Sequence, residues 1–117
     1  MKVLLVDDEL FCLSVAQKFL EDAGYTVIAA HSVNEAISLL DQGIDIVITD
    51  ILMPNKLGYE LITHIKNSDN PIPVIAVTGG FENAVDDYVH QAEIFADVAI
   101  AKPLHKDNLI KTVKTLI

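Results

Sequence analysis

The sequence predicts a single α/β domain built on a parallel sheet with helices on both faces. Three observations carry that expectation: five short apolar runs rich in β-branched residues, their nearly even spacing, and helix-period segments between them. The runs do not alternate polar with apolar residues, which is how strands covered on both sides read.

The first run, Val3 to Val6, is followed by a stripe of Leu10, Leu13, Ala16, Phe19, Leu20 and Ala23 at helical spacing, with Gly24 where a left-handed residue would end the helix. Cys12 is expected on the inner face of that helix. The second run, Val27 to Ala30, precedes Ser32 with Glu35 three residues on, a capping-box pattern that opens a helix carrying Ala36, Ile37, Leu39 and Leu40. Gly43 stands where that helix should end. The third run, Ile44 to Thr49, leads directly into Asp50, and Asn67-Ser68-Asp69-Asn70-Pro71 breaks the next helix before the fourth run, Pro73 to Thr78. The fifth, Val98 to Ala101, precedes a final stripe of Leu109, Ile110, Val113, Leu116 and Ile117. Five strand-helix alternations call for right-handed crossovers. No linker, low-complexity tract or sequence repeat divides residues 1–117.

Composition narrows the function. A chain of 117 residues is long enough to bury a core without staples, and 8 basic against 17 acidic side chains, net −9, oppose direct contact with nucleic acid. A protein partner with basic or apolar contact surfaces fits better. One cysteine forms no internal disulfide, the apolar start is too short for a signal segment, and no run reaches the roughly 20 residues of a spanning helix. A soluble, cytoplasmic protein without membrane insertion is expected.

The chemistry lies at the strand ends. Asp7, Asp8 and Glu9 follow the first strand, Asp50 the third, and Lys102-Pro103 the fifth. Carboxylates placed together repel, so such a cluster calls for a divalent metal or an internal cation; the acids offer the metal site and Lys102 the cation. Taken alone, Asp7 or Asp8 reads as a helix cap, Thr78 as ordinary strand propensity, and Lys102 as a solvated lysine. Asp50 resists that reading because apolar Ile51, Leu52 and Met53 follow it, and a buried carboxylate without partners would cost several kcal/mol, to order of magnitude. His31, His64, His90 and His105 show no metal-ligand pairing with Cys12, and Asp86-Asp87 reads as a solvated helix face.

Together with Thr78-Gly79 closing the fourth strand, and with Asp50-Ile51-Leu52-Met53-Pro54 followed by Gly58, these segments resemble the receiver domain of two-component response regulators over the whole chain. The resemblance implies a flavodoxin-like strand order 2-1-3-4-5, whose switch point lies between the first and third strands. It implies Mg²⁺ as cofactor, with Asp8 and Asp50 as direct ligands, Asp7 holding a bound water and the Leu52 carbonyl as a further oxygen. Asp50 becomes the phosphoryl acceptor, with Lys102 and Thr78 on phosphoryl oxygens and a cis peptide before Pro103. The implied donor is a sensor histidine kinase or histidine phosphotransfer protein, and the implied recipient a downstream protein or effector domain. Such a chain catalyses its own phosphorylation and dephosphorylation rather than turning over an external substrate. Dimerisation stays open.

The sequence also departs from that family. Ala99 stands where an aromatic ring usually reports occupancy, three residues before the lysine, so a degenerate receiver binding partners without phosphorylation is the alternative reading. Lys56 and Leu57 replace the loop residues often found there, and Gly79 replaces the commoner Ala. Leu52 and Gly80 offer no side-chain base for water, and slow self-hydrolysis is expected. A haloacid-dehalogenase-like phosphatase would need an acid at Leu52, and a flavodoxin a phosphate-binding loop where Asp7-Asp8-Glu9 would repel the phosphate.

Overall fold

The computed structural model describes residues 1–51, 58–69, 71–78 and 96–117, except the side chain of Tyr59. The elements run β1 (Lys2–Val6), α1 (Leu10–Asp22), β2 (Thr26–Ala30), α2 (Val33–Leu39), β3 (Ile46–Asp50), α3 (Gly58–Lys66), β4 (Val74–Thr78), β5 (Val98–Ala101) and α4 (Lys106–Leu116). All four strand pairings are parallel, in the order β2-β1-β3-β4-β5. The expected order and architecture therefore hold.

Alternation along each strand sends successive side chains to opposite faces, and both faces are apolar. Val3, Leu5, Ile46, Ile48, Ile75, Val77 and Ile100 pack under Leu13, Ala16 and Leu20 of α1 and Leu109 and Val113 of α4. On the other face Leu4, Val6, Val47, Val74 and Ala76 pack under Val33 and Ala36 of α2 and Leu61, Ile62 and Ile65 of α3. Each fully buried side chain of this size contributes about 1.5–3 kcal/mol, so the two layers hold the sheet rigidly beneath the strand ends.

Local signals fall where the sequence put them. The Ser32 side chain accepts from the Glu35 amide at 3.1 Å, and the Glu35 carboxylate accepts from the His31 amide at 3.3 Å. Gly24 takes positive φ directly after the Ala23 cap of α1, whereas Gly43, also at positive φ, does not end α2, which stops at Leu39 with Leu40 as its cap. Strand starts differ slightly. β3 begins at Ile46 rather than Ile44, which is buried ahead of the ladder, and β4 begins at Val74, since Pro73 has no amide to donate. The Pro73 carbonyl still accepts from the Val47 amide at 3.0 Å.

The first helix corrects three expectations, the first being that Ala23, read as part of its stripe, is its exposed C-terminal cap. Leu10 is not part of the buried stripe: it is 64% exposed, beside Phe11 at 79%, because the buried face of α1 is set by Leu13, Ala16 and Leu20 one turn further on. Cys12 is not on the inner face either. It is half-buried and its thiol donates to the Glu9 carboxylate at 2.8 Å.

Candidate functional site

Asp7 follows β1 in phase with Val3 and Leu5, Asp50 closes β3 in phase with Ile46 and Ile48, and Lys102 follows β5 in phase with Val98 and Ile100. All three are thus directed toward the α1/α4 side at the carboxyl ends of the strands. β1 and β3 are neighbours, so Asp7 and Asp50 converge where the chain's crossovers diverge, the crevice at which open α/β sheets bind ligands.

There the Lys102 ammonium donates to Asp50 Oδ2 at 2.9 Å and to Asp7 Oδ2 at 3.2 Å, and lies 4.0 Å from Glu9 Oε2. Asp7 and Asp50 are buried, while Asp8 is exposed. The second Asp7 oxygen accepts from the Glu9 amide at 2.9 Å. Burial by itself would depress the Lys102 pKa, but hydrogen bonding and charge from Asp50, and then from Asp7, hold it above the ordinary lysine value. The ammonium is charged throughout the physiological range.

Oxygens of Asp7, Asp8 and Asp50 all lie within 4.8 Å of one another. Three hard carboxylate donors, two of them buried in a crevice and one open to solvent, suit a hard divalent cation such as Mg²⁺. The expected fourth oxygen, from Leu52, lies outside the described residues, as do Met53, Pro54, Lys56, Leu57, Gly79, Gly80, Asp86, Asp87 and His90.

Thr78 closes β4 one residue beyond the partner of Asp50, and its carbonyl accepts from the Lys102 amide at 2.6 Å. Its side chain is 1% exposed, and Oγ1 has no hydrogen-bond partner, alone in this among the buried side-chain polar atoms described. A buried hydroxyl without a partner costs about 1–3 kcal/mol. The Lys102-Pro103 peptide is cis, as the resemblance implied.

The packing reason for Gly58 and one ion pair escaped the sequence. Gly58 opens α3 with its amide donating to the Ile51 carbonyl at 2.8 Å, and a Cβ built on it would come under 3.0 Å from the Asp50 carbonyl oxygen and to 3.1 Å from the Asp50 carbonyl carbon. Only a glycine lets the backbone of α3 approach the end of β3 so closely. At the opposite end of the sheet, Asp97 accepts from Lys66 Nζ at 2.5 Å and from the Val74 amide at 2.7 Å, tying α3, β4 and β5 together. An acid just before an apolar strand was visible in the sequence, but its partner 31 residues away was not.

Comparison with known proteins decides the family. Residues 3–114 match the family model of the response regulator receiver domain. The chain belongs to that family. It is 33% identical over 115 residues to the response regulator SaeR of Staphylococcus aureus (strain USA300), covering 98% of this chain and 50% of that protein. It therefore spans about half the length of the curated relatives it matches. Among solved structures, a response regulator receiver domain protein from Clostridium thermocellum superposes with a TM-score of 0.86 at 28% identity, over 99% of this chain and 93% of the other. The signal receiver domain of a signal transduction histidine kinase from Syntrophus aciditrophicus gives 0.85 at 31% identity, over 98% and 88%. The receiver is thus a two-component signalling domain, and among its described residues no helix is long and apolar enough to cross a membrane.

Proposed function

We propose that this receiver accepts a phosphoryl group on Asp50 from a phosphohistidine of a sensor histidine kinase or histidine phosphotransfer protein, and that occupancy of Asp50 alters its contacts with a downstream protein or effector domain. The observation that carries the reading is the buried Asp50 carboxylate held at 2.9 Å by Lys102, within a triad of acids at the strand ends.

In the transfer, an Asp50 carboxylate oxygen forms a bond to phosphorus as the bond from phosphorus to the donor imidazole breaks, and the bonding electron pair returns to the ring nitrogen. Asp7, Asp8 and Asp50, with the Leu52 carbonyl that the resemblance adds, are the residues that would hold Mg²⁺, which when bound supplies charge neutralisation at the acceptor. Lys102 places a fixed positive charge beside Asp50, where the phosphoryl oxygens accumulate charge. The unpartnered Thr78 hydroxyl is available to donate to a second of those oxygens. Leu52 and Gly80 supply no side-chain base to orient water, which supports slow loss of the phosphoryl group.

Exposed Leu10 and Phe11, next to Asp8 and Glu9, give a protein donor an apolar contact beside the acceptor. The half of SaeR beyond the match supports an output domain as the recipient of the switch. Because the single cysteine imposes no need for an oxidising compartment, we infer a cytoplasmic location. The test is intact mass after incubation with Mg²⁺ and acetyl phosphate. The parent protein gains one phosphoryl mass and Asp50→Asn gains none; equal labelling of the two removes Asp50 as acceptor.

A further inference from the structure

Among the described residues the buried polar ones are Asp7, Thr49, Asp50 and Thr78. Asp7, Asp50 and Thr78 have places in the transfer proposed above, and Thr49 has none. It is fully buried, in phase with Val47 and Ile51, opposite Val6 of β1 and Ala76 of β4, in the apolar layer under α2 and α3. Valine has the same shape, forms strands as readily and brings no polar atom to bury. The hydroxyl has a partner instead: Thr49 Oγ1 donates to the carbonyl of Asp50, the next residue, at 3.0 Å.

That carbonyl stands where the ladder stops. On the β1 side the last residue of β3 in register is Thr49, opposite Val6; on the β4 side it is Asp50, opposite Val77. The peptide unit after Asp50 is held from both ends, its Ile51 amide donating to the Val77 carbonyl at 3.0 Å and its Asp50 carbonyl accepting from Thr49. α3 closes over the same oxygen, where a Cβ on Gly58 would come under 3.0 Å from it. Because a peptide unit is planar, anchoring its N–H and its C=O restrains ψ of Asp50 and so the direction in which that side chain leaves the backbone. Resting on the acceptor reading above, we propose that Thr49 is a positioning residue for Asp50: from the opposite face of the sheet, its hydroxyl holds the backbone that aims the carboxylate at Lys102, 2.9 Å away. It acts through the main chain and not on the reacting atoms.

Thr49→Val and Thr49→Ser separate the hydroxyl from the packing. Valine keeps the volume and loses the donor, while serine keeps the donor and loses a buried methyl group, so stability and labelling rank in opposite orders. Thr49→Ser has the lower urea midpoint, yet acetyl phosphate at saturating Mg²⁺ labels it within about twofold of the parent rate. Thr49→Val keeps a midpoint near the parent's. Its maximal labelling rate falls on the order of tenfold, less than the roughly 100-fold that a 1 Å misplacement can cost, and the donor concentration giving half-maximal rate is unchanged. A second readout is independent of transfer. In the metal-free proteins at one pH, the carbon-13 resonance of the Asp50 carboxyl, identified by its loss in Asp50→Asn, moves in Thr49→Val and stays in place in Thr49→Ser. Thr49→Ala set against Thr49→Ser repeats the comparison should the valine variant not fold, since those two differ by the hydroxyl alone. Labelling of Thr49→Val as fast as the parent's overturns the positioning role while leaving Asp50 as acceptor. So does a carboxyl resonance unmoved in Thr49→Val, or a Thr49→Ser as slow as Thr49→Val. A parent that takes no label overturns the acceptor reading instead, and the resonance still decides whether Thr49 positions Asp50.

Discussion

Gly58→Ala perturbs Asp50, the proposed acceptor, without touching any side chain assigned a part in the proposed transfer. In isolation the change favours the helix, since alanine is better than glycine by about 1 kcal/mol in a helix interior, and less at the first position. The clash works the other way. The new Cβ falls under 3.0 Å from the Asp50 carbonyl oxygen, 3.0 Å from Ile51 Cα and 3.1 Å from the Asp50 carbonyl carbon, all of them backbone atoms that cannot rotate aside. Restoring ordinary contact requires α3 and the end of β3 to separate by an amount on the order of 1 Å, which costs about 1–3 kcal/mol of stability, as over-packing of a tight interior does. The clash therefore outweighs the propensity gain. The same displacement moves the Asp50 carboxylate relative to Lys102, and a misplacement of about 1 Å can reduce a positioned reaction about 100-fold. Labelling by acetyl phosphate at saturating Mg²⁺, followed by intact mass on protein shown folded by circular dichroism, measures that loss. The maximal rate should fall while the donor concentration giving half-maximal rate stays near the parent's, and the urea midpoint should drop. A variant as stable and as quickly labelled as the parent would refute the argument.

Other expectations are simpler to state. Mg²⁺ should raise the melting temperature of the parent, and Asp8→Ala should lose that response while remaining folded; a surviving response would mean that Asp8 is not a ligand. With only a methyl group at Ala99 to exchange contacts, beryllofluoride should change amide shifts around Thr78 and Lys102 more than along β5, and the reverse pattern would show that another residue carries the switch. At Asp97, burial would raise the pKa, but the Lys66 and Val74 hydrogen bonds hold it below the ordinary 3.8. Its stabilisation is therefore complete above that value and lost as pH falls through the folded-state pKa. Asp97→Asn should lower the melting temperature at pH 7, and its gap to the parent should close only as pH falls below 3.8 and through the folded-state pKa; a gap that persists at still lower pH would remove ionisation as the cause.

Much of this molecule was legible because its information is local. Unbroken β-branched runs marked strands buried on both faces, Ser32 and Glu35 marked a helix start, and acids at two strand ends marked the crevice. What was missed depended on distance or phase. Leu10 matches the helical period, but its position in the first turn of α1 leaves it beside the site rather than over the sheet. The link from Asp97 to Lys66 spans 31 residues and cannot be read from spacing, whereas Lys102 was expected as the cation for the acids from the chemistry of the cluster. Gly58 stood at a telling separation from Asp50, yet the reason, backbone against backbone, exists only once α3 is packed.

The most direct measurement is the location of the phosphoryl group itself. Borohydride reduces an aspartyl phosphate to homoserine, which peptide mass spectrometry can assign to a position. After incubation with Mg²⁺ and a phosphodonor, homoserine should appear at position 50 alone, and chelation of the metal should abolish it. Homoserine at position 7 or 8, or at position 50 undiminished in chelator, would contradict the account.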